Sequence, residues 1–459
     1  MTVGEKSSAV SKLAFASEQI VLQNVPVRVK RQAALCILDT VGCMVAGTST
    51  AEAELLFRCE AGSQSASQVV VPGTAQVLDL YAALRVNGYL GDVLELNDLI
   101  GGHASIGTVT AALALAQMQA SSGAALLEAV VRGIEITTRV YSAVYEKLKR
   151  YTEVGIVPVG IPSSIGAAAA ASRLLELNHV QTCHAMAIAG GMAGWCPAEV
   201  IFGNGGTMKP LLFGAQPATV AVKAAFDARC GMTGPLQLLD SKLGYFNTVS
   251  VGGSLDTTLD HEWALASPRR KLHACCGYIH SPVDALVQLG LQIAKVYRDS
   301  TVQVYVAPYV ADVVSKKGTP NSPNDARFHL QYCLAVVMQG EDVIRPEHII
   351  GVEYPLQDSA IIEAMNRVTV VADPQLDHYH QCKVILTRAD GQRFTHVLDG
   401  PRGSDKAPLS DDEVVSKFLS LTKPILGSER AAEVVAAVTD LETLPDVGEL
   451  ARLVAAPTC

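Results

Sequence analysis

Leu80-Tyr81-Ala82-Ala83-Leu84-Arg85-Val86-Asn87 reads as one helical run, and Thr108-Val109-Thr110-Ala111-Ala112-Leu113-Ala114-Leu115-Ala116 as the start of another. Between them runs Gly88-Tyr89-Leu90-Gly91-Asp92-Val93-Leu94-Glu95-Leu96-Asn97-Asp98-Leu99-Ile100-Gly101-Gly102-His103-Ala104-Ser105. Three acids, an amide and a histidine therefore stand between two apolar helices. Ionisable groups at such a junction are costly to bury and need a partner, a proton or a ligand. Capping of the two helices accounts for the acids locally. Gly101-Gly102 before His103 asks for more, because two glycines let the chain turn sharply and bring His103 toward Glu95 or Asp98. Such a pairing would set the ring's tautomer and raise its basicity.

Outward from this junction, Val29 to Val45, Ala124 to Tyr145, Ile165 to Leu175, Val180 to Ala193 and Pro217 to Cys230 repeat Ala, Leu and Val at helical spacing. Several are apolar nearly all round and dense in alanine, which predicts helices inside a large bundle or at a dimer interface. After about Ser267 the character changes. Thr301 to Val306, Gly351 to Tyr354, Val368 to Val371 and Lys383 to Thr387 read as strands, and Ala389-Asp390-Gly391-Gln392 as a tight turn into Arg393 to Leu398. Helical stretches at Val283 to Val296 and Phe328 to Met338 predict helices on one face of a small antiparallel sheet. The fold class expected is mainly α: an all-α domain from residues 1–266 and 405–459, plus a smaller α+β lid domain from 267–404.

The 459 residues, 49% hydrophobic and 18% charged, suit a folded chain with a large core. A net charge of −9 argues against a nucleic-acid partner. The alanine-rich runs are interrupted by Ser, His and Gly, so no membrane span is expected. Residues 1–20 carry Glu5 and Glu18 and lack an apolar signal core, which makes the cytoplasm the expected compartment. The cysteines number eleven, with no C-x-x-C pair, as suits buried thiols in a reducing compartment. No metal site is expected, and His378-Tyr379-His380 reads as a strand entry.

Two further stretches carry chemistry. Gly203-Asn204-Gly205-Gly206-Thr207-Met208-Lys209-Pro210 delivers one lysine among apolar neighbours, where its charge needs a carboxylate from protein or ligand. The spacing of a phosphate-binding loop is absent. Lys271-Leu272-His273-Ala274-Cys275-Cys276-Gly277-Tyr278-Ile279-His280-Ser281 is dense in ionisable groups and opens a helix that Ser281 is expected to cap, with His280 at its positive end. Nucleophilic use of Cys275 or Cys276 lacks an identifiable base.

These stretches, in this order, resemble the MmgE/PrpD family of 2-methylcitrate dehydratases, cis-aconitate decarboxylases and iminodisuccinate epimerases. The likeness spans essentially the whole chain. It is carried by the E-L-x-D…H-x-S segment from Glu95 to Ser105, the G-G-x-x-K block from Gly205 on, and K-x-x-A-C-C-x-x-x-H from Lys271 to His280.

The resemblance implies a homodimer with a cleft between its domains and no metal or organic cofactor. The implied substrate is a small di- or tricarboxylate, and the chemistry proton movement beside a carboxylate. It matches Glu95 and Asp98 to the family's acidic pair, His103 to its catalytic histidine, and Lys209 and Lys271 to its carboxylate-binding lysines. Cys276 falls where some decarboxylases have histidine, and His280 matches the histidine that follows. In two places the chain departs from the pattern: Val157 and Phe213 occupy positions usually held by histidines, so fewer polar groups would line the pocket.

The expected activity is that of a lyase on a citrate- or aconitate-like acid. An epimerase of a dicarboxylate such as iminodisuccinate, with Tyr278 or His280 as second acid/base, is the rival enzyme. A non-catalytic dimeric binding protein is the rival of another class.

Overall fold

Small side chains let the helices of the first half meet almost backbone to backbone. The computed structural model describes residues 8–62, 68–145, 147–149, 154–157, 159–202, 206–257, 263–294, 297, 299–352 and 355–456. At its centre lies the helix Ala104–Met118, whose residues from Ala104 to Ala116 are all buried. Around it pack Leu80–Asp92, Gly123–Tyr145, Gly160–Leu174 and Gln216–Arg229, with His179–Gly191 against the last two. Val27–Gly47 is wrapped by the C-terminal helix Asp411–Leu426, and Ser428–Thr439 follows onto the same helix. Asp79 starts the Leu80–Asp92 helix by accepting from the Tyr81 and Ala82 amides at 3.0 and 3.2 Å. Ser410 and Glu413 start Asp411–Leu426 with a reciprocal capping box.

Strands β3 (Thr301–Val306), β4 (Val368–Ala372), β5 (Cys382–Thr387) and β6 (Arg393–Leu398) form one sheet in the order β4-β3-β5-β6. Alternation predicts these strands because Val302, Val304 and Val306 face inward beside Cys382, Val384 and Leu386. The sheet is mixed rather than antiparallel, since β3 and β4 pair in parallel. The crossover between them, from Ala307 to Arg367, holds several short helices and is long enough for a parallel return. Gly277–Gln292 packs on β5 and β6. A small hairpin of β1 (Gln68–Val70) and β2 (Val77–Asp79) was not expected.

Two further expectations need correction. Gly351 and Val352 lie in a turn after the helix Pro346–Ile350, not in a strand, while residues 353–354 fall outside the described residues. Ser281 does not cap its helix, which begins a turn earlier at Gly277; its hydroxyl donates instead to the His380 carbonyl at 2.7 Å. Among the described residues no single helix is long and apolar enough to cross a membrane.

The helical core takes in Leu80, Ala83 and Leu84 and later Ile100 and Ala104, whereas Val86 to Leu96 belong to the core shared with the sheet. The junction Gly88–Ser105 thus crosses from one core to the other. Its ionisable residues sit on that seam.

Candidate active site

The site is assembled by a close contact between the Leu80–Asp92 helix and the π-helical turn Leu211–Ala215. A Cβ on Gly88 would lie 2.5 Å from the Gly214 carbonyl oxygen, and one on Gly214 only 2.0 Å from that of Gly88. Only glycine allows this approach, and it sets Lys209, two residues before the turn, against Asp92. Lys209 Nζ donates to both Asp92 oxygens at 2.9 and 2.8 Å and to Glu95 Oε2. Lys271 Nζ donates to Glu95 Oε1 at 2.5 Å and to the Glu95 carbonyl at 3.1 Å. All four side chains are buried. Burial alone would raise the Glu95 carboxyl, but the charges of Lys209 and Lys271 outweigh it and hold Glu95 well below the usual carboxylate range. Burial pushes Asp92 upward against the pull of Lys209, with the Glu95 charge adding to the rise.

His103 is delivered by Gly101 and Gly102, at φ +43° and +76°, and itself adopts φ +69°. Glu95 is also left-handed, at φ +53°. Side chains other than glycine rarely hold this conformation, and the two that do so here both bear on the ion-pair cluster. The histidine's partner is neither Glu95 nor Asp98. Asn97 Oδ1 stands 2.8 Å from His103 Nδ1, while Asn97 Nδ2 donates to Asp92 Oδ1 at 2.6 Å. The Asp92 carboxylate therefore orients the amide, and the amide oxygen assigns the proton to Nδ1, leaving Nε2 as the basic nitrogen. Burial, with the charges of Lys271 and Lys209, holds the imidazole well below its usual range and hence neutral.

Asp98 turns away from this group. It accepts from the Ile100 amide at 3.1 Å and lies in the field of Ser105, Asp39 and Arg270; burial pushes it up to about 6. The Cys276 thiol lies within the field of Glu95, Lys271 and Lys209, and burial pushes it up to about 12, which leaves it unsuited to nucleophilic attack. Tyr278 packs edge-on against Tyr309 and at a tilt against Tyr379. His280 packs on His273, with Nε2 3.3 Å from the Cys275 carbonyl. The His378-Tyr379-His380 run joins the same aromatic group, where Tyr145 shares a hydrogen bond with His378 and Arg269 donates to Tyr379.

One wall of the site is apolar. Val157, Val159, Ala198, Ile201, Leu212 and Phe213 form a buried cluster of their own. The Phe213 ring lies 5.9 Å from His103 and 4.9 Å from Lys209 Nζ.

Residues 11–258 match the MmgE/PrpD N-terminal domain and residues 273–443 the MmgE/PrpD C-terminal domain. The chain belongs to the MmgE/PrpD family. It is 26% identical to the cis-aconitate decarboxylase-like protein oryM of Aspergillus oryzae over 94% of both chains. It is also 26% identical to the cis-aconitate decarboxylase of Homo sapiens, over 94% of this chain and 91% of that one. To the cis-aconitate decarboxylase of Aspergillus terreus it is 22% identical over 98% and 97%.

Of the residues matched to MmgE/PrpD motifs, the fold gathers Glu95, His103, Lys209, Lys271 and Cys276 at one place; Asp98 accepts from the Ile100 amide, Tyr278 packs against Tyr309 and Tyr379, and His280 against His273. Sequence reasoning passed over Asp92 and Asn97 as members of the site. Both stand in the junction Gly88–Ser105, where a polar group among apolar residues needs a partner, and that is the signal the sequence carried. Gly203-Asn204-Gly205, read as a glycine-rich turn, fall outside the described residues.

Proposed function

We propose that this chain is a lyase that removes water or CO2 from a small citrate- or aconitate-like acid by moving a proton at a carbon beside a carboxylate. The carrying observation is the Asp92–Asn97–His103 chain of hydrogen bonds, which presents a neutral imidazole with Nε2 as base next to buried lysines. In dehydration Nε2 takes the proton from carbon, the electron pair is held by the adjoining carboxylate and then forms the double bond as hydroxide leaves. In decarboxylation the C–COO bond breaks, CO2 departs, and the pair left on carbon is protonated by the imidazolium. That second route needs a proton brought in with the substrate, whose negative charge offsets the lysine charges that keep His103 neutral.

The names of the relatives favour decarboxylation. The apolar wall of Val157 and Phe213 favours a substrate that puts an alkyl group, rather than a further carboxylate, on that side; an alkylcitrate is one such acid. The same wall also suits a dicarboxylate, for which the isomerase reading is the rival.

Incubation of the protein with cis-aconitate, 2-methylcitrate and iminodisuccinate in heavy water, followed by NMR, tests the proposal. Loss of CO2 or water, with deuterium at the reacting carbon when CO2 is lost, is the expected result. Deuterium exchange into iminodisuccinate without net conversion would establish the isomerase instead, and no exchange into any of the three would favour a binding protein.

A further inference from the structure

The lysines of the site already have partners. A lysine carries three N–H donors, and Lys209 directs its donors at three carboxylate oxygens of Asp92 and Glu95, while Lys271 is held by Glu95 Oε1 and a carbonyl. To grip a substrate, Lys209 would have to abandon a buried carboxylate. Arg327 is in the opposite state. Its side chain is only 3% exposed, yet among the described residues neither Nε nor Nη2 has a hydrogen-bond partner. Among the described residues the carboxylate paired with it, Glu52 Oε1, stands 3.8 Å from Nη2, beyond hydrogen-bond reach. A buried guanidinium with three unused N–H groups is costly unless something arrives to accept them. Nε and Nη2 form one edge of the guanidinium, with parallel N–H bonds that match the two oxygens of a carboxylate.

Arg327 also stands at the site. Its carbonyl accepts from the Cys276 amide at 2.9 Å, and its guanidinium lies in the field of Glu52, Glu95, Tyr89 and Asp92. The next residue, Phe328, meets Phe202, which meets Phe213, the ring beside His103. We propose that Arg327 grips a carboxylate of the substrate through its Nε–Nη2 edge, while Lys209 and Lys271 stay tied to Asp92 and Glu95. The proposal rests on the reading that the site takes a carboxylic acid. It assigns the arginine to substrate affinity.

Calorimetric titration of the full chain with tricarballylate, which has neither hydroxyl nor double bond to react, reads affinity without turnover. Arg327→Gln should weaken binding about 10- to 100-fold, the loss of a charge-assisted bidentate contact, and Arg327→Lys should recover part of it. Glu52→Gln removes the competing carboxylate and should tighten binding or leave it unchanged. A merely structural Arg327–Glu52 pair predicts that the Arg327→Gln and Glu52→Gln variants weaken binding alike. That result, unchanged affinity in Arg327→Gln, or a wild type that does not bind tricarballylate would each overturn the proposal. Should Arg327→Gln fail to fold, the Arg327→Lys and Glu52→Gln variants still decide, by opposite or parallel shifts in affinity. Failure of the lyase reading is separate, since it shows as absent turnover in a protein that still binds.

Discussion

At the scale of single residues, the site turns on which side chain holds the His103 ring. Asn97 does so at Nδ1, and Asp92 in turn holds Asn97. His103→Ala should lower kcat by at least about 100-fold, as removal of a general acid/base does; a near wild-type rate would remove it from that role. Asn97→Ala frees the ring to take the other tautomer, and kcat should fall by about 10-fold or more with KM little changed. Asp98 has a different signature. Its folded-state carboxyl, raised from 3.8 to about 6, favours the folded protein when protonated. That contribution is complete below about pH 4 and lost as pH rises through about 6. Asp98→Asn should therefore gain on the wild type by about 2 kcal/mol between pH 4 and pH 7, at roughly 1.4 kcal/mol per pK unit. Urea denaturation at the two pH values reads the gain, and an equal difference at both would refute it.

Among the elements, the decisive contact is that of the Leu80–Asp92 helix with the Leu211–Ala215 turn at Gly88 and Gly214. A methyl group at either glycine meets main-chain atoms, which cannot rotate aside. Gly214→Ala should push the turn outward, draw Lys209 off Asp92 and destabilise the fold by about 1–3 kcal/mol through overpacking. Its kcat should fall as well, while an alanine at the exposed helix residue Gly191, which has nothing within 4 Å, should leave both unchanged. Thermal unfolding and steady-state rates of the two variants separate local packing from a general effect of replacing glycine. Much of this scale was legible beforehand. The helices around Val29 to Val45 and Ala124 to Tyr145 and the strands Thr301–Val306 and Arg393–Leu398 follow from side-chain periodicity, which is a local property. The parallel pairing of β3 and β4 was not legible, because strand direction depends on a crossover of some sixty residues rather than on alternation within either strand.

Across the whole molecule, the C-terminal helix Asp411–Leu426 reaches back to brace the site. Lys417 Nζ donates to the Leu96 carbonyl at 2.8 Å and the Lys271 carbonyl at 2.9 Å, and pairs with Asp39 at 2.7 Å. One buried ammonium thus ties the segment after Glu95 to the main chain of Lys271. Lys417→Met should cost about 3–5 kcal/mol, because it leaves Asp39 buried and uncompensated, and the Lys417→Met/Asp39→Leu pair should recover much of that loss. Chemical denaturation of the three proteins measures both; a double variant no more stable than the single would refute the account. By itself, the sequence determined most of the helical and strand segments, the apolar Val157 and Phe213, and the clustering of ionisable residues at three points along the chain. These depend on residue type and short-range spacing. Only the tertiary structure decided that Lys209 meets Asp92, that Asn97 rather than Asp98 holds His103, and that Arg327 stands buried with an open edge. These pairings span from six to 117 positions and hang on two left-handed residues and one glycine contact, so they arise from chain packing rather than from residue type.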